Sequence, residues 1–261
     1  MIKALFFDID GTLVSFQTHL IPDSTVDALR KAKANGVKVF ISTGRPVSII
    51  NNLSQIETLI DGYITTNGAY CFIGNEEVCC HEMQRKDVEI ILKDSDRKGY
   101  PTVVVGEKSF VVHNNGPLFE RIFQQGLKVD NIDFSKTYDD IRNERILQVT
   151  PFITAEQEAE LAPELHECTL GRWHPAFVDI TAKGIDKARG LLAMAQFEHL
   201  DVAETMAFGD GGNDIPIIRQ AGIGVAMGNG LDEVKKSADY VTTPIDEDGV
   251  RNALLHYQVI A

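Results

Sequence analysis

The chain has 261 residues, a formal net charge of −13 and 44% hydrophobic residues, which is typical of a soluble globular protein with one large or two smaller domains. The acidic balance argues against a general nucleic-acid-binding protein, because such proteins present a basic surface. No apolar run reaches the roughly 20 residues that a membrane helix needs, and acidic Asp8 comes too early for a secretory signal. We therefore expect a cytoplasmic protein without membrane association, as a monomer or a weak homo-oligomer.

The first third of the chain alternates strands with helices. Apolar residues from Ala4 to Phe7, with Ile9, suit a buried parallel strand whose two faces are both covered. The later elements are a helix over 22–35, a strand over 37–41, a helix over 47–59, a strand over 63–65 and a hairpin of 69–73 with 78–81. This alternation predicts a doubly wound parallel sheet.

The middle of the chain has a different pattern. The predicted helices cover 87–98, 118–125 and 156–165, and the predicted strands cover 102–105, 109–113, 146–153, 169–173 and 176–180. Helices packed on a mostly antiparallel sheet form an α+β unit, which we expect to be a separate domain.

The α/β alternation returns in the last third. The predicted helices cover 187–197, 214–220, 231–238 and 250–257, and the strands cover 205–208, 224–227 and 240–242. The first and last thirds therefore share one sheet. The predicted fold class is α/β, with a Rossmann-like doubly wound parallel-sheet core over 1–82 and 181–261 and an inserted α+β domain over 83–180.

The cysteines do not indicate a metal site. Cys79 and Cys80 are adjacent and precede His81, but adjacent thiols seldom have tetrahedral ligand spacing and no second Cys/His pair follows. We expect reduced cysteines packed on strands.

Polar residues follow several of the predicted strands, at the edge where ligands bind in open α/β sheets. Each group taken alone could be a plain turn or, for the lysine, an exposed side chain. The four groups are Asp8-Ile9-Asp10-Gly11-Thr12, Ser42-Thr43-Gly44-Arg45, Lys187 and Gly209-Asp210-Gly211-Gly212-Asn213-Asp214.

Together these groups suit phosphoryl transfer, in which positioning and charge neutralisation supply most of the catalysis. Asp8, Asp10, Asp210 and Asp214 bring four negative charges, against one positive charge from Lys187. Two like charges about 4 Å apart repel by roughly 4 kcal/mol at an effective dielectric constant of ~20. A divalent ion would relieve that repulsion, and oxygen-only ligands favour Mg²⁺.

The four groups, in this order, resemble the motifs of the haloacid dehalogenase-like phosphatases. Their placement is similar to the Cof-type sugar-phosphate branch, whose members carry a large α/β cap inserted in the core. Asn67-Gly68-Ala69, Ala238-Asp239-Tyr240-Val241 and Glu247-Asp248-Gly249 also resemble that branch. The resemblance is close to a Bacteroides-type hexose phosphate phosphatase.

The resemblance implies a role for each matching residue. Asp8 would be the nucleophile that forms an aspartyl-phosphate, and Asp10 the general acid and base. Thr43, the Gly44 N–H, Lys187 and Asn213 would hold phosphate or orient Asp8, and Arg45 would reach sugar hydroxyls or brace the cap. Asp8, the Asp10 carbonyl and Asp210 would bind Mg²⁺, with Asp214 at the ion or next to the residues that bind it.

Three questions stay open at this point. Lys183 is an alternative to Lys187 as the motif lysine. Arg172, Trp173 and His174 form a cluster that either contacts substrate or packs between cap and core. The expected function is a Mg²⁺-dependent phosphohydrolase of small phosphorylated metabolites, hexose phosphates above all; the alternatives are a sugar phosphotransferase or phosphomutase and a non-catalytic phosphate-sensing module.

Overall fold

The computed structural model describes residues 1–126 and 132–261, and these form two compact units. The core unit contains Met1–Gly44, Asn51–Cys79 and Asp186–Ala261. The α+β unit contains Cys80–Ile185 and the short segment Arg45–Ile50. The divisions between the units, after Cys79 and after Ile185, lie within a few residues of the boundaries expected at 82 and 180. The assignment of Arg45–Ile50 to the α+β unit was not expected from the sequence.

The regular elements are numbered here in chain order over the described residues. The strands are β1 (Ala4–Phe7), β2 (Lys38–Ser42), β3 (Gly62–Thr65), β4 (Tyr70–Ile73), β5 (Glu76–Cys80), β6 (Thr102–Gly106), β7 (Phe110–His113), β8 (Ile146–Pro151), β9 (Cys168–His174), β10 (Phe177–Ala182), β11 (Thr205–Gly209), β12 (Ile223–Ala226) and β13 (Tyr240–Val241). The helices are α1 (Asp23–Ala34), α2 (Arg85–Lys98), α3 (Pro117–Phe119), α4 (Tyr138–Ile141), α5 (Ala155–Leu161), α6 (Lys187–Phe197), α7 (Ile215–Gln220), α8 (Asp232–Lys235) and α9 (Gly249–His256).

The core unit is built on one mixed sheet, in the order β13-β12-β11-β1-β2-β3-β4-β5. Its strands from β13 to β3 are parallel, and β4 turns back antiparallel to β3. The strand order reverses at β1, because the chain first builds outward through β2 and β3 and later returns to β11 on the other side. Open α/β sheets bind ligands beside such a reversal, at the carboxyl ends of the strands.

Burial on both faces of the sheet explains the near-continuous apolar strands. Ala4 and Phe6 face a cluster that includes Leu191 and Met194 of α6, whereas Leu5 and Phe7 alternate with them and are also fully buried. Helices α6 and α7 pack against each other, and α1 packs against α9. The predicted α/β core is confirmed.

The predicted helix over 47–59 is wrong. The chain forms only two 3₁₀ turns there, Val47–Ile49 and Glu57–Leu59, and Ile50 is extended. On a helix Ile49 and Ile56 would share one face. Instead, Ile49 packs with the apolar residues of the α+β unit and Ile56 is fully buried in the core unit, so a continuous helix cannot satisfy both.

The α+β unit has a five-stranded antiparallel sheet in the order β7-β6-β8-β10-β9. One apolar cluster contains Val104, Val149 and Ile180 together with residues of α2, and a second contains Val103, Val105 and several phenylalanines. The segment predicted as a helix over 118–125 is split between α3 and a π-helix at Glu120–Gly126. In the described residues, no helix is both long and apolar enough to cross a membrane.

Candidate active site

The first site segment follows β1, the central strand. Asp8 comes directly after β1, where its N–H donates to the Phe208 carbonyl of neighbouring β11 at 3.2 Å, and only 8% of the residue is exposed. The parallel register of β1 with β11 brings the end of one strand beside the end of the other. Asp8 and Asp210 are thereby brought to the same edge of the sheet, as the sequence predicted.

Gly11 permits this close approach. Its φ of +88° lies in the left-handed region, and a Cβ on Gly11 would lie 2.3 Å from Oδ2 of Asp210. The hydroxyl of Thr12 donates to Oδ1 of Asp210 at 2.9 Å. The turn after β1 therefore holds the Asp210 carboxylate by contact on one side and by a hydrogen bond on the other.

Lys187 is the first residue of α6 and is fully buried. Its Nζ donates to Oδ1 of Asp8 and to Oδ1 of Asp214, both at 2.6 Å. Helix α6 begins there because the Asp186 side chain accepts the Arg189 N–H as its N-cap. Lys183, the alternative, belongs to the α+β unit, is largely exposed and pairs with Glu167 at 3.4 Å.

The second acidic segment follows β11. Oδ2 of Asp214 accepts the N–H groups of Asp210 and Gly211, both at 3.0 Å, while its Oδ1 binds Lys187. A Cβ on Gly209 would lie 2.3 Å from Cβ of Asp214, so glycine is needed where this loop folds onto the strand. Both carboxylate oxygens of Asp214 therefore have hydrogen-bond partners, one on Lys187 and the other in the loop.

The predicted phosphate loop and Asn213 meet through Asn67. Thr43 is buried, its N–H donates to the Ile64 carbonyl at 2.8 Å, and its own carbonyl accepts the Asn67 N–H at 3.0 Å. Nδ2 of Asn213 donates to Oδ1 of Asn67 at 2.9 Å. Gly44 is the last residue of this stretch of the core unit.

Three other candidate residues from the sequence analysis belong to the α+β unit. Arg45 belongs to the α+β unit, where its buried guanidinium donates to the Ile49 carbonyl at 3.1 Å. Arg172 bridges Glu158 with the carbonyls of Ile153, His174 and Pro175, and so braces the turn between β9 and β10. Trp173 Nε1 donates to Oδ2 of buried Asp179 at 3.0 Å. Arg172 and Trp173 therefore pack within the α+β unit.

The buried charges strongly perturb one another. Burial raises the pKa of Asp8 to about 7: Lys187 offsets part of this increase, while the charges of Asp214 and Asp10 add to it. Burial, with the charges of Asp8 and Asp214, raises the pKa of Asp210 to about 8. Burial by itself would lower the pKa of Lys187, but the charges of Asp214 and Asp8 outweigh it and hold that pKa above its ordinary value.

The carboxylates of Asp8, Asp210 and Asp214 fit a divalent cation. Each offers one oxygen, and these oxygens lie within 4.8 Å of one another. Three carboxylates and one lysine leave an excess of negative charge, so repulsion among the carboxylates adds to burial in raising the pKa values of Asp8 and Asp210. An all-oxygen donor set suits Mg²⁺. Half-buried Asp10 contributes no side-chain oxygen to this group of described residues, so a contribution to the metal would come from its carbonyl.

Sequence reasoning missed three residues that shape the site. Thr12 and Asn67 were noted only as parts of turns or motifs. Asn229 was not noted, although its Nδ2 donates to the Gly11 carbonyl at 2.8 Å and its Oδ1 accepts the Ile245 N–H at 2.9 Å. A Gly-Asn-Gly sequence indicates only a turn, so nothing local could reveal the partner at Gly11, 218 positions away.

Comparisons with known proteins identify the family of this chain. Residues 5–254 match the family model described as haloacid dehalogenase-like hydrolase. A solved structure of the subclass IIB sugar phosphatase BT4131 is 48% identical, with a TM-score of 0.95 over 99% of this chain and all of that one.

The curated relatives from Bacillus subtilis include two that cover nearly all of this chain. The putative phosphatase YkrA is 32% identical over 97% of this chain and 96% of its own length. The 5-amino-6-(5-phospho-D-ribitylamino)uracil phosphatase YcsE is 32% identical over 98% of this chain and 96% of its own length. The family expected from the motifs is confirmed: the chain belongs to the haloacid dehalogenase-like hydrolases and is a phosphatase of that family.

Proposed function

We propose that this phosphatase is a Mg²⁺-dependent phosphohydrolase of hexose phosphates and similar small metabolites, acting through an aspartyl-phosphate on Asp8. One observation carries the proposal: Asp8 lies at the end of β1 with Lys187 Nζ at 2.6 Å and with Asp210 and Asp214 oxygens within 4.8 Å of its own. The ammonium of Lys187 and a metal ion held by the neighbouring carboxylates would offset negative charge around Asp8. The Asp8 carboxylate could then attack an anionic phosphoryl group. In this proposal the core unit is catalytic and the α+β unit is its cap.

Asp8 and Asp10 share the chemistry in two steps. In the first, a carboxylate oxygen of Asp8 attacks phosphorus, the bond from phosphorus to the sugar oxygen breaks, and that oxygen takes the proton of Asp10. In the second, Asp10 removes a proton from water, the water oxygen attacks phosphorus, and phosphate leaves with Asp8 regenerated. The surroundings of the two residues support this division, because Asp8 is held by Lys187 and Asp10 is only half-buried.

The remaining residues bind and orient. Lys187 holds one oxygen of Asp8 in place and offsets negative charge as the phosphoryl group transfers. Thr43, the Gly44 N–H and Asn213 would hold the phosphate oxygens. Arg45 would contribute to sugar recognition or to the stability of the cap; its hydrogen bond to the Ile49 carbonyl, within the α+β unit, supports the second role.

Mg²⁺ would be held by Asp8, the Asp10 carbonyl and Asp210, with Asp214 beside them. When bound, the ion neutralises carboxylate and phosphate charge and so makes attack by one anion on another feasible. The raised pKa values of Asp8 and Asp210 support this assignment, because the ionised forms of these two carboxylates lack sufficient compensating charge.

The hexose phosphate class is supported by the sugar phosphatase that is 48% identical to this chain. The uracil-compound phosphatase, at 32% identity, supplies a competing substrate to include in the assay. We also propose that the enzyme works in the cytoplasm, where its four free cysteines would stay reduced.

The test is phosphate release from a panel of sugar phosphates, nucleotides and phosphorylated cofactors, with Mg²⁺ and with a chelator. We expect the highest kcat/KM on a hexose phosphate and no turnover with the chelator. Asp8→Asn should lower kcat by more than about 1,000-fold, because the nucleophile is lost. Asp232→Asn, which changes an exposed aspartate at the start of α8, is the matched control and should keep full activity.

Two results would redirect the proposal. Asp8→Asn with wild-type activity would contradict the aspartyl-phosphate. Formation of an isomeric sugar phosphate without free phosphate would favour the phosphotransferase or phosphomutase.

A further inference from the structure

The turn Thr66–Gly68, which follows β3 in the core unit, has an unusual backbone. All three of its residues have positive φ, at +48° for Thr66, +52° for Asn67 and +94° for Gly68. Left-handed backbone is uncommon outside glycine and is a clear outlier for a β-branched residue such as Thr66. All three residues are also buried. Such strain persists only where surrounding structure holds it, and it concentrates at functional sites.

The turn contacts three segments of the site. The Asn67 N–H donates to the carbonyl of Thr43, in the predicted phosphate loop, at 3.0 Å. The Asn67 Oδ1 accepts from Asn213 Nδ2, in the acidic loop after β11, at 2.9 Å. Gly68 lies against the residue before Lys187, since a Cβ on Gly68 would be 2.1 Å from the Asp186 carbonyl oxygen.

We infer that Asn67 is a positioning residue, which acts through its hydrogen bond to Asn213 and sets the Asn213 amide for the phosphoryl group. One N–H of that amide is directed to Asn67, which fixes the plane of the amide and so the directions of its second N–H and its oxygen. The inference rests on the proposed function, in which Asn213 holds the phosphate oxygens.

Asparagine meets both demands at position 67. It tolerates the left-handed backbone better than most residues, and it offers a neutral acceptor oxygen for the Asn213 amide. Glycine would keep the backbone and remove the side-chain hydrogen bond to Asn213. Asn67→Gly therefore separates the role of the side chain from that of the turn.

The experiment is a double-mutant cycle of Asn67→Gly and Asn213→Ala, read as kcat/KM on a hexose phosphate and as the Kd of inorganic phosphate with Mg²⁺. Loss of one hydrogen bond should lower kcat/KM about fivefold to tenfold in Asn67→Gly. In the Asn213→Ala background the same change should have less than about a twofold effect, because its partner is already gone. Equal effects in both backgrounds, or none in wild type, would overturn the inference.

The matched control is Asn114→Gly, which removes an asparagine at the same φ of +52° in the α+β unit. It should leave kcat/KM within about twofold of wild type. An equal loss in Asn114→Gly would show that the loss at Asn67 reflects general destabilisation, and would overturn the positioning role.

Two further measurements keep the outcomes separate. If thermal melting shows that Asn67→Gly is unfolded, NMR of the Asn67 side-chain amide is used in place of that variant. Adding phosphate should shift the NMR signal of this amide in wild type and not in Asn213→Ala. An equal shift in both proteins would refute the coupling. The proposed function would be contradicted if the wild-type protein binds inorganic phosphate but hydrolyses no phosphorylated substrate. In that case the double-mutant cycle, measured as the Kd of phosphate, would still decide the role of Asn67.

Discussion

Replacing Lys187 with methionine tests the centre of the site most directly. Methionine has a similar length and no charge, so Lys187→Met removes the cation with little change in volume. In wild type, Nζ of Lys187 lies 2.6 Å from Oδ1 of Asp8 and 2.6 Å from Oδ1 of Asp214, and the Lys187 side chain is fully buried. The variant therefore leaves two buried carboxylates without their counter-ion.

The expected cost follows from that burial. Removing one partner of a buried ion pair destabilises a protein by about 3–5 kcal/mol, because the remaining charge is uncompensated. We expect a loss of this size for Lys187→Met near neutral pH without metal, together with loss of phosphatase activity. Lys183→Met breaks only an exposed pair with Glu167, so it should cost less than about 1 kcal/mol and keep activity.

Urea unfolding with a chelator, followed by circular dichroism, measures both variants against wild type. Phosphate release with Mg²⁺ measures their activity. A Lys187→Met protein that loses less than about 1 kcal/mol and still turns over would refute the reasoning. An inactive Lys183→Met beside an active Lys187→Met would assign the motif lysine to Lys183.

Two further predictions concern metal and backbone. Metal-free protein should lose stability as the pH rises from about 4 towards 8, because folded Asp8 and Asp210, with pKa values of about 7 and 8, hold protons that the unfolded chain has released. Mg²⁺ should therefore raise the urea midpoint more at pH 8.5 than at pH 6, and an equal gain at both values would contradict the raised pKa values. Gly11→Ala should destabilise the protein more than Gly36→Ala does, and it should also weaken Mg²⁺ binding. Both glycines have φ near +80°, but only a Cβ on residue 11 would meet Asp210. Equal unfolding free energies and Mg²⁺ affinities in the two alanine variants would show that this contact is unimportant.

The alternation of strands and helices could be predicted from the sequence because it depends on local patterns. Apolar runs, glycine terminators and turn pairs lie within a few residues of the element they define. The predicted helix over 187–197 matches α6, Lys187–Phe197. The helix over 47–59 fails for the opposite reason, since the burial of Ile49 in one unit and Ile56 in the other depends on residues far along the chain.

The sequence also determined which residues would gather at the edge of the sheet. Asp8, Asp210 and Asp214 could be grouped because each follows a buried parallel strand, and the carboxyl ends of such strands share one edge. The order of the four motif groups along the chain then indicated the family, which the comparisons confirm.

Only the tertiary structure decided the contacts within that group. The choice between Lys183 and Lys187 depends on which ammonium reaches Asp8, 179 positions from Lys187 along the chain. The hydrogen bond between Asn67 and Asn213 spans 146 positions and leaves no local pattern. Pairings of this kind are set by how the strands are ordered in the sheet and by close packing of their loops, which is why the sequence determined the chemistry of this site and the fold determined its geometry.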